Sequence, residues 1–107
     1  MSDIKEKKVS IILSTYNEEL AIEKTINEIQ KHIKNVEIIV VDDNSSDKTF
    51  DILSKYQSER LKIFSRKKTK GLASAFLLGL INSNGDVIGW VDSNMSSVVK
   101  LFPEMIN

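Results

Sequence analysis

The chain has 107 residues, 41% hydrophobic and 28% charged, enough for one soluble domain around one core. Fifteen basic and fifteen acidic residues cancel, which argues against nucleic acid or an anionic membrane surface as the main partner. There is no cysteine, hence no disulfide framework or thiolate metal site. No apolar leader core and no run near the roughly 20 apolar residues of a membrane span is present, so the expectation is a cytoplasmic protein, peripheral if it meets a membrane.

In chain order, "VSIILS" (9–14) is β-branched and apolar and predicts a buried strand. Residues 18–33 predict a helix, with Ile22, Ile26, Ile29 and Ile33 on one face and Glu18 and Glu19 in the first turn, where the helix dipole favours them. Residues 36–41 predict a second strand. Ser46 or Asp47 is placed to cap a helix running to about Tyr56, with Phe50, Leu53 and Tyr56 or Gln57 inward. A weaker strand covers 61–65, followed by the basic loop "RKKTKG". A helix over 72–82 puts Leu72, Ala75, Phe76 and Gly79 on one side. Asn84-Gly85 is a turn, 87–91 a fourth strand, and 98–106 a last helix in which Pro103 sits poorly.

Strand and helix alternate, and strand ends recur about every 25 residues, the length of a strand-plus-crossover unit. The strands are apolar on both faces, as parallel strands covered by helices must be. The expected fold is therefore an α/β three-layer sandwich: a mainly parallel sheet of four strands with helices on both faces.

In such sheets ligands bind outside the carboxyl ends of the strands. The segments there are Thr15-Tyr16-Asn17-Glu18, Asp42-Asp43-Asn44-Ser45-Ser46-Asp47, Arg66 to Gly71, and Asp92-Ser93-Asn94. They bring an aromatic ring, carboxylates, amides and a basic segment to one rim. A nucleotide with a divalent metal needs that set: a ring to stack the base, carboxylates for ribose hydroxyls, and hard oxygens for Mg2+ or Mn2+, which clamps a diphosphate. Asp42 and Asp43 point in alternate directions, one tying down the loop and one facing the cleft. Two carboxylates so close need a donor or cation each. The plainer reading is that both are turn and cap residues. Plainer readings also serve elsewhere: His32 as a solvated partner of a helix end, "RKKTK" as a solvated loop, Trp90 as core or rim packing, and Phe64 and Phe76 as core. No GxGxxG, P-loop or G-x-S-x-G pattern occurs.

"VSIILSTYNEE", "EIIVVDDNSSDKT", "RKKTKGLASAFLLGL" and "GDVIGWVDSNMS" together resemble the first half of the inverting glycosyltransferases with the A-type fold. The nearest likeness is to the branch acting on dolichyl or polyprenyl phosphate with mannose or glucose. The resemblance implies a Rossmann-like half that binds a nucleotide-diphospho-sugar, with a lipid-phosphate or saccharide acceptor. It places Thr15, Tyr16, Glu18 and Asp43, with Asp42 in support, around base and ribose. Arg66, Lys70 and Gly71 line the donor site, and Asp92 and Asn94 hold Mg2+ or Mn2+ at a DxD-like triplet.

The chain departs from the family pattern at several points. Ser14 stands where proline is common, and Lys48 where glycine is. Asn94 replaces the second acid of the triplet, which removes a charge from the metal site. The chain stops at Asn107, so the acceptor-binding half and its general base are expected outside it, leaving a single donor-binding part. Two other readings stay open: a phosphoacceptor receiver domain, which also pairs acids after an early strand, and a nucleotide-sugar-binding remnant without catalysis.

Overall fold

The computed structural model describes residues 7–67 and 71–92. For Leu72 and Asp92 the backbone placement is described. The expected helix over 98–106 lies outside the described residues, as do Lys70 and Asn94.

The elements are β1 (Val9–Thr15), α1 (Ile22–His32), β2 (Val36–Asp42), α2 (Thr49–Tyr56), β3 (Leu61–Ser65), α3 (Leu72–Ile81) and β4 (Val87–Asp92). All strand pairings are parallel, in the order β3-β2-β1-β4. The two central strands, β1 and β2, are the most continuously apolar, because both of their faces are covered.

Alternation sorts their side chains into two layers. Ile11 and Leu13 of β1 and Ile38 and Val40 of β2 pack with Ile22, Ile26 and Ile29 of α1 and with Leu53 of α2. Truncating any of these buried aliphatics to alanine would cost about 2–5 kcal/mol. Ile12, Ile39 and Val41 face the other way and are fully buried. There Gly79 brings α3 so near the sheet that a Cβ would lie 2.5 Å from Ile12 Cγ2. The sheet thus carries α1 and α2 on one face and α3 on the other, as the sequence pattern predicts.

α1 begins at Ile22, so Glu18 and Glu19 precede it. The Glu18 carbonyl accepts from the amides of Ala21 (3.0 Å) and Ile22 (2.8 Å), while the amides of Glu18 and Glu19 are committed to the first residue of α2 and to the loop before it. α2 begins at Thr49, which turns residues 49, 52, 53 and 56 inward. Phe50 is left 43% exposed, against the expectation, and Gln57 is exposed. Phe64 and Phe76 are half-buried rather than core, since β3 and β4 are edge strands; Phe76 lies 5.1 Å from Trp90, ring centre to ring centre. His32 Nε2 meets Glu28 at 3.3 Å within the last turn of α1.

The parallel register leaves the four strand ends nearly flush. Thr15 pairs with Asp42, Asp42 with Ser65, and Ser14 with Asp92. Every loop that follows a strand leaves from this one rim.

Candidate donor-binding rim

The adjacent aspartates divide as strand alternation requires. Asp42 is 1% exposed and turns back toward β1. Its oxygens accept from Thr15 Oγ1 at 2.8 Å, from the Ser45 amide at 3.1 Å, and from the Ser45 hydroxyl. A buried carboxylate is stable only when it collects such donors. Asp43 points to the other side and meets Arg66, which donates through Nε and Nη2 at 2.7 and 2.9 Å. Arg66 Nη1 also donates to Ser74 Oγ at 2.7 Å, and Nη2 to the Gly71 carbonyl at 3.1 Å. Two like charges therefore sit side by side because each has its own compensation, one from hydroxyls and an amide, the other from a guanidinium.

Arg66 is a strut between the loop after β2 and the start of α3. Gly71, at φ +119°, is in a conformation that suits glycine, and its carbonyl also accepts from Ser74 Oγ and the Ala75 amide. Ser74 escaped sequence reasoning, since nothing local marks it as the partner of an arginine eight residues earlier.

The loops after β1 and β2 are joined along their length. The amides of Asn17, Glu18 and Glu19 donate to Ser45 Oγ (2.9 Å), Thr49 Oγ1 (2.8 Å) and Asp47 Oδ2 (3.3 Å). Asp47 also accepts the Thr49 amide at 2.9 Å, so it serves the start of α2, while Ser46 turns to Asn17 instead. Burial would push the Asp47 carboxyl up, but the hydroxyl and amide of Thr49 and the amide of Glu19 outweigh that and hold it below its ordinary range. Sequence reasoning credited this run with helix capping and missed its role as a bridge between loops.

Tyr16 is 52% exposed on the rim, and Thr15 is buried beneath it. The Asp43 amide donates to the Thr15 carbonyl at 3.0 Å, which sets the two loops side by side. Asp92 ends β4 in register with Ser14, so its backbone stands next to the departure of the first loop. Thr15, Tyr16, Glu18, Asp42, Asp43, Arg66, Gly71 and Asp92 all lie at the same end of the sheet.

Among the described residues no three acidic or histidine side chains gather as a metal cage. Asp42 and Asp43 are already engaged by hydroxyls, an amide and Arg66.

The sequence matches the family described as Glycosyl transferase family 2 over residues 10–106. The chain belongs to that family. The match sets aside the phosphoacceptor reading, since it embraces all four strand-end loops. Among curated relatives, the chain is 35% identical to a dolichol-phosphate mannosyltransferase of Pyrococcus furiosus over 102 residues, covering 92% of this chain and 29% of the relative. Among solved structures it resembles the mannosyltransferase of Pyrobaculum calidifontis in complex with GDP-Man and Mn2+, with a TM-score of 0.73, 22% identity, and coverage of 90% and 32%. That likeness speaks for the A-type fold alone. It also resembles the glucosyl-3-phosphoglycerate synthase of Mycobacterium tuberculosis in complex with Mn2+, UDP and glucosyl-3-phosphoglycerate, with a TM-score of 0.65, 27% identity, and coverage of 83% and 34%. The chain spans about a third of the length of each of these three proteins. Among the described residues no helix is long and apolar enough to cross a membrane.

Proposed function

We propose that this chain binds the donor in a hexosyl transfer from a nucleotide-diphospho-sugar of the GDP-mannose or UDP-glucose type, with a polyprenyl phosphate or saccharide as acceptor. In this reading Tyr16 stacks the base, and Thr15, Glu18 and Asp43, supported by Asp42, surround base and ribose. Lys70 and Gly71 border the diphosphate, with Arg66 bracing that side. The observation that carries the reading is the Ser14–Asp92 register, which sets the end of β4 beside the Thr15–Tyr16 loop. The names of the relatives add support, since they include a dolichol-phosphate mannosyltransferase and a protein solved with UDP and Mn2+.

Asp92 and Asn94 would hold Mg2+ or Mn2+, which neutralises charge on the diphosphate leaving group. The chain's own residues orient the nucleotide and keep the rim in shape. The base that deprotonates the acceptor is assigned to no residue of this chain, so donor binding is the share of the reaction proposed for it. We place the protein in the cytoplasm, at the membrane face when the acceptor is a lipid.

Calorimetric titration with GDP and with UDP, each with and without Mn2+, tests the reading. Mn2+ alone should bind weakly, and nucleotide and metal should strengthen one another. Asp92→Ala should abolish the effect of the metal, and Asn94→Asp should increase it by about 1–2 kcal/mol, the scale of a charge-assisted contact. Nucleotide affinity indifferent to Mn2+ in a folded parent chain would overturn the metal assignment. Failure to bind either nucleotide would overturn the donor reading itself.

A further inference from the structure

Asn17 has a left-handed backbone, φ +50°, in the first rim loop. Its side-chain Oδ1 accepts from the amides of Ser46 (2.7 Å) and Asp47 (3.3 Å) and from the Ser46 hydroxyl (3.4 Å). Its own amide donates to Ser45 Oγ at 2.9 Å. The exchange is reciprocal: the first loop gives the amides of residues 17 and 19 to side chains of the second and that of residue 18 to the first residue of α2, and the second loop gives two successive amides back to one side chain of the first. Asn17 and Ser46 are exposed, Glu18, Glu19, Ser45 and Asp47 are half-buried and Thr49 is buried, and none of them belongs to the apolar core cluster.

We infer that Asn17 is a positioning residue: it locks the loops after β1 and β2 into one unit and thereby fixes Tyr16 relative to Asp43. The inference rests on the donor reading above, in which those two residues flank the nucleoside. Asparagine meets two demands together. It tolerates the left-handed conformation, and it presents a short acceptor to two converging amides. Glycine satisfies the first demand only, alanine neither, and aspartate both.

The test compares the parent with N17D, N17G and N17A by amide hydrogen exchange and by calorimetric titration of GDP and UDP. The Ser46 and Asp47 amides should keep their protection in N17D and lose about tenfold or more in N17G and N17A. Nucleotide affinity should stay within about threefold in N17D and fall about tenfold in the other two, the effect of one lost hydrogen bond. Loss of protection without loss of affinity overturns the inference. So does protection that none of the variants changes. Full protection in N17D with affinity as poor as in N17A would mean that the amide nitrogen touches the nucleotide itself, and that also overturns it. If the parent binds neither nucleotide, with or without Mn2+, the donor reading has failed and the inference goes with it; parent binding that ignores Asn17 defeats the inference alone.

Discussion

Arg66 grips Asp43 with two parallel hydrogen bonds of 2.7 and 2.9 Å across 23 residues of chain, and the same guanidinium reaches Ser74 and the Gly71 carbonyl. The side chains of the pair are only 9% and 19% exposed, so solvent screens them little. Arg66→Ala leaves a largely buried carboxylate without its cation and should lower stability by about 2–3 kcal/mol in urea denaturation. Arg66→Lys keeps the charge but loses the fork and should fall between the two. An Arg66→Ala protein within about 0.5 kcal/mol of the parent would show that the strut carries little.

At the opposite end of the sheet Glu37 is 4% exposed. It accepts from the Ser10 hydroxyl and the Asn84 amide, both at 2.6 Å, with Lys8 Nζ 3.7 Å away. Burial alone would raise its pKa. The Ser10 and Asn84 hydrogen bonds and the charges of Lys8 and Lys62 prevail and hold the carboxyl below its ordinary value of 4.5. A depressed carboxyl contributes stability that is complete above the unfolded value and is lost as the pH falls through the folded one. Urea midpoints should therefore hold steady down to about pH 5 and then decline, and Glu37→Gln should lower the plateau and flatten the decline. Asp47 is also held below its ordinary range and likewise loses its contribution in acid, so the flattening should be partial. An undiminished acid slope in Glu37→Gln would assign the decline to other groups.

Two glycines are required by close approach. A Cβ on Gly79 would lie 2.5 and 2.9 Å from Cγ2 and Cγ1 of Ile12, and one on Gly85 would lie 2.5 and 2.6 Å from Ser10 Oγ and the Ser10 backbone nitrogen. Gly79→Ala should destabilise by about 1–3 kcal/mol despite the better helix propensity of alanine. Adding Ile12→Ala removes the atoms it strikes, so the double variant should cost less than the two singles together by about 1 kcal/mol or more. Strict additivity would refute the contact. Gly85→Ala strikes backbone, where no rotamer can yield, and should cost more than Gly79→Ala in the same denaturation series.

Local sequence order and periodicity reach far in this chain. The isoleucines of α1 at spacings of four, three and four, the continuous apolar runs of β1 and β2, and the regular alternation of strand and helix suffice for a parallel α/β sheet. That fold in turn puts Tyr16, Asp43 and Asp92 at one rim. These signals are legible because each lies within one element, where the period of the backbone decides which side chains share a face. The hydrogen-bond partners are set at another level. Arg66 finding Asp43, Asn17 gathering the amides of Ser46 and Asp47, and Ser74 completing the strut all join residues that approach only once β2 lies between β1 and β3 in this register. The late start of α1 and the outward turn of Phe50 have the same origin, since the backbone before each helix is bound to a neighbouring segment before the helical pattern begins: the amides of Glu18 and Glu19 to Thr49 and Asp47, and those of Ser46, Asp47 and Lys48 to Asn17 and Glu19. An interaction across 20 or 30 residues leaves no period in the sequence, and only the assembled sheet selects it.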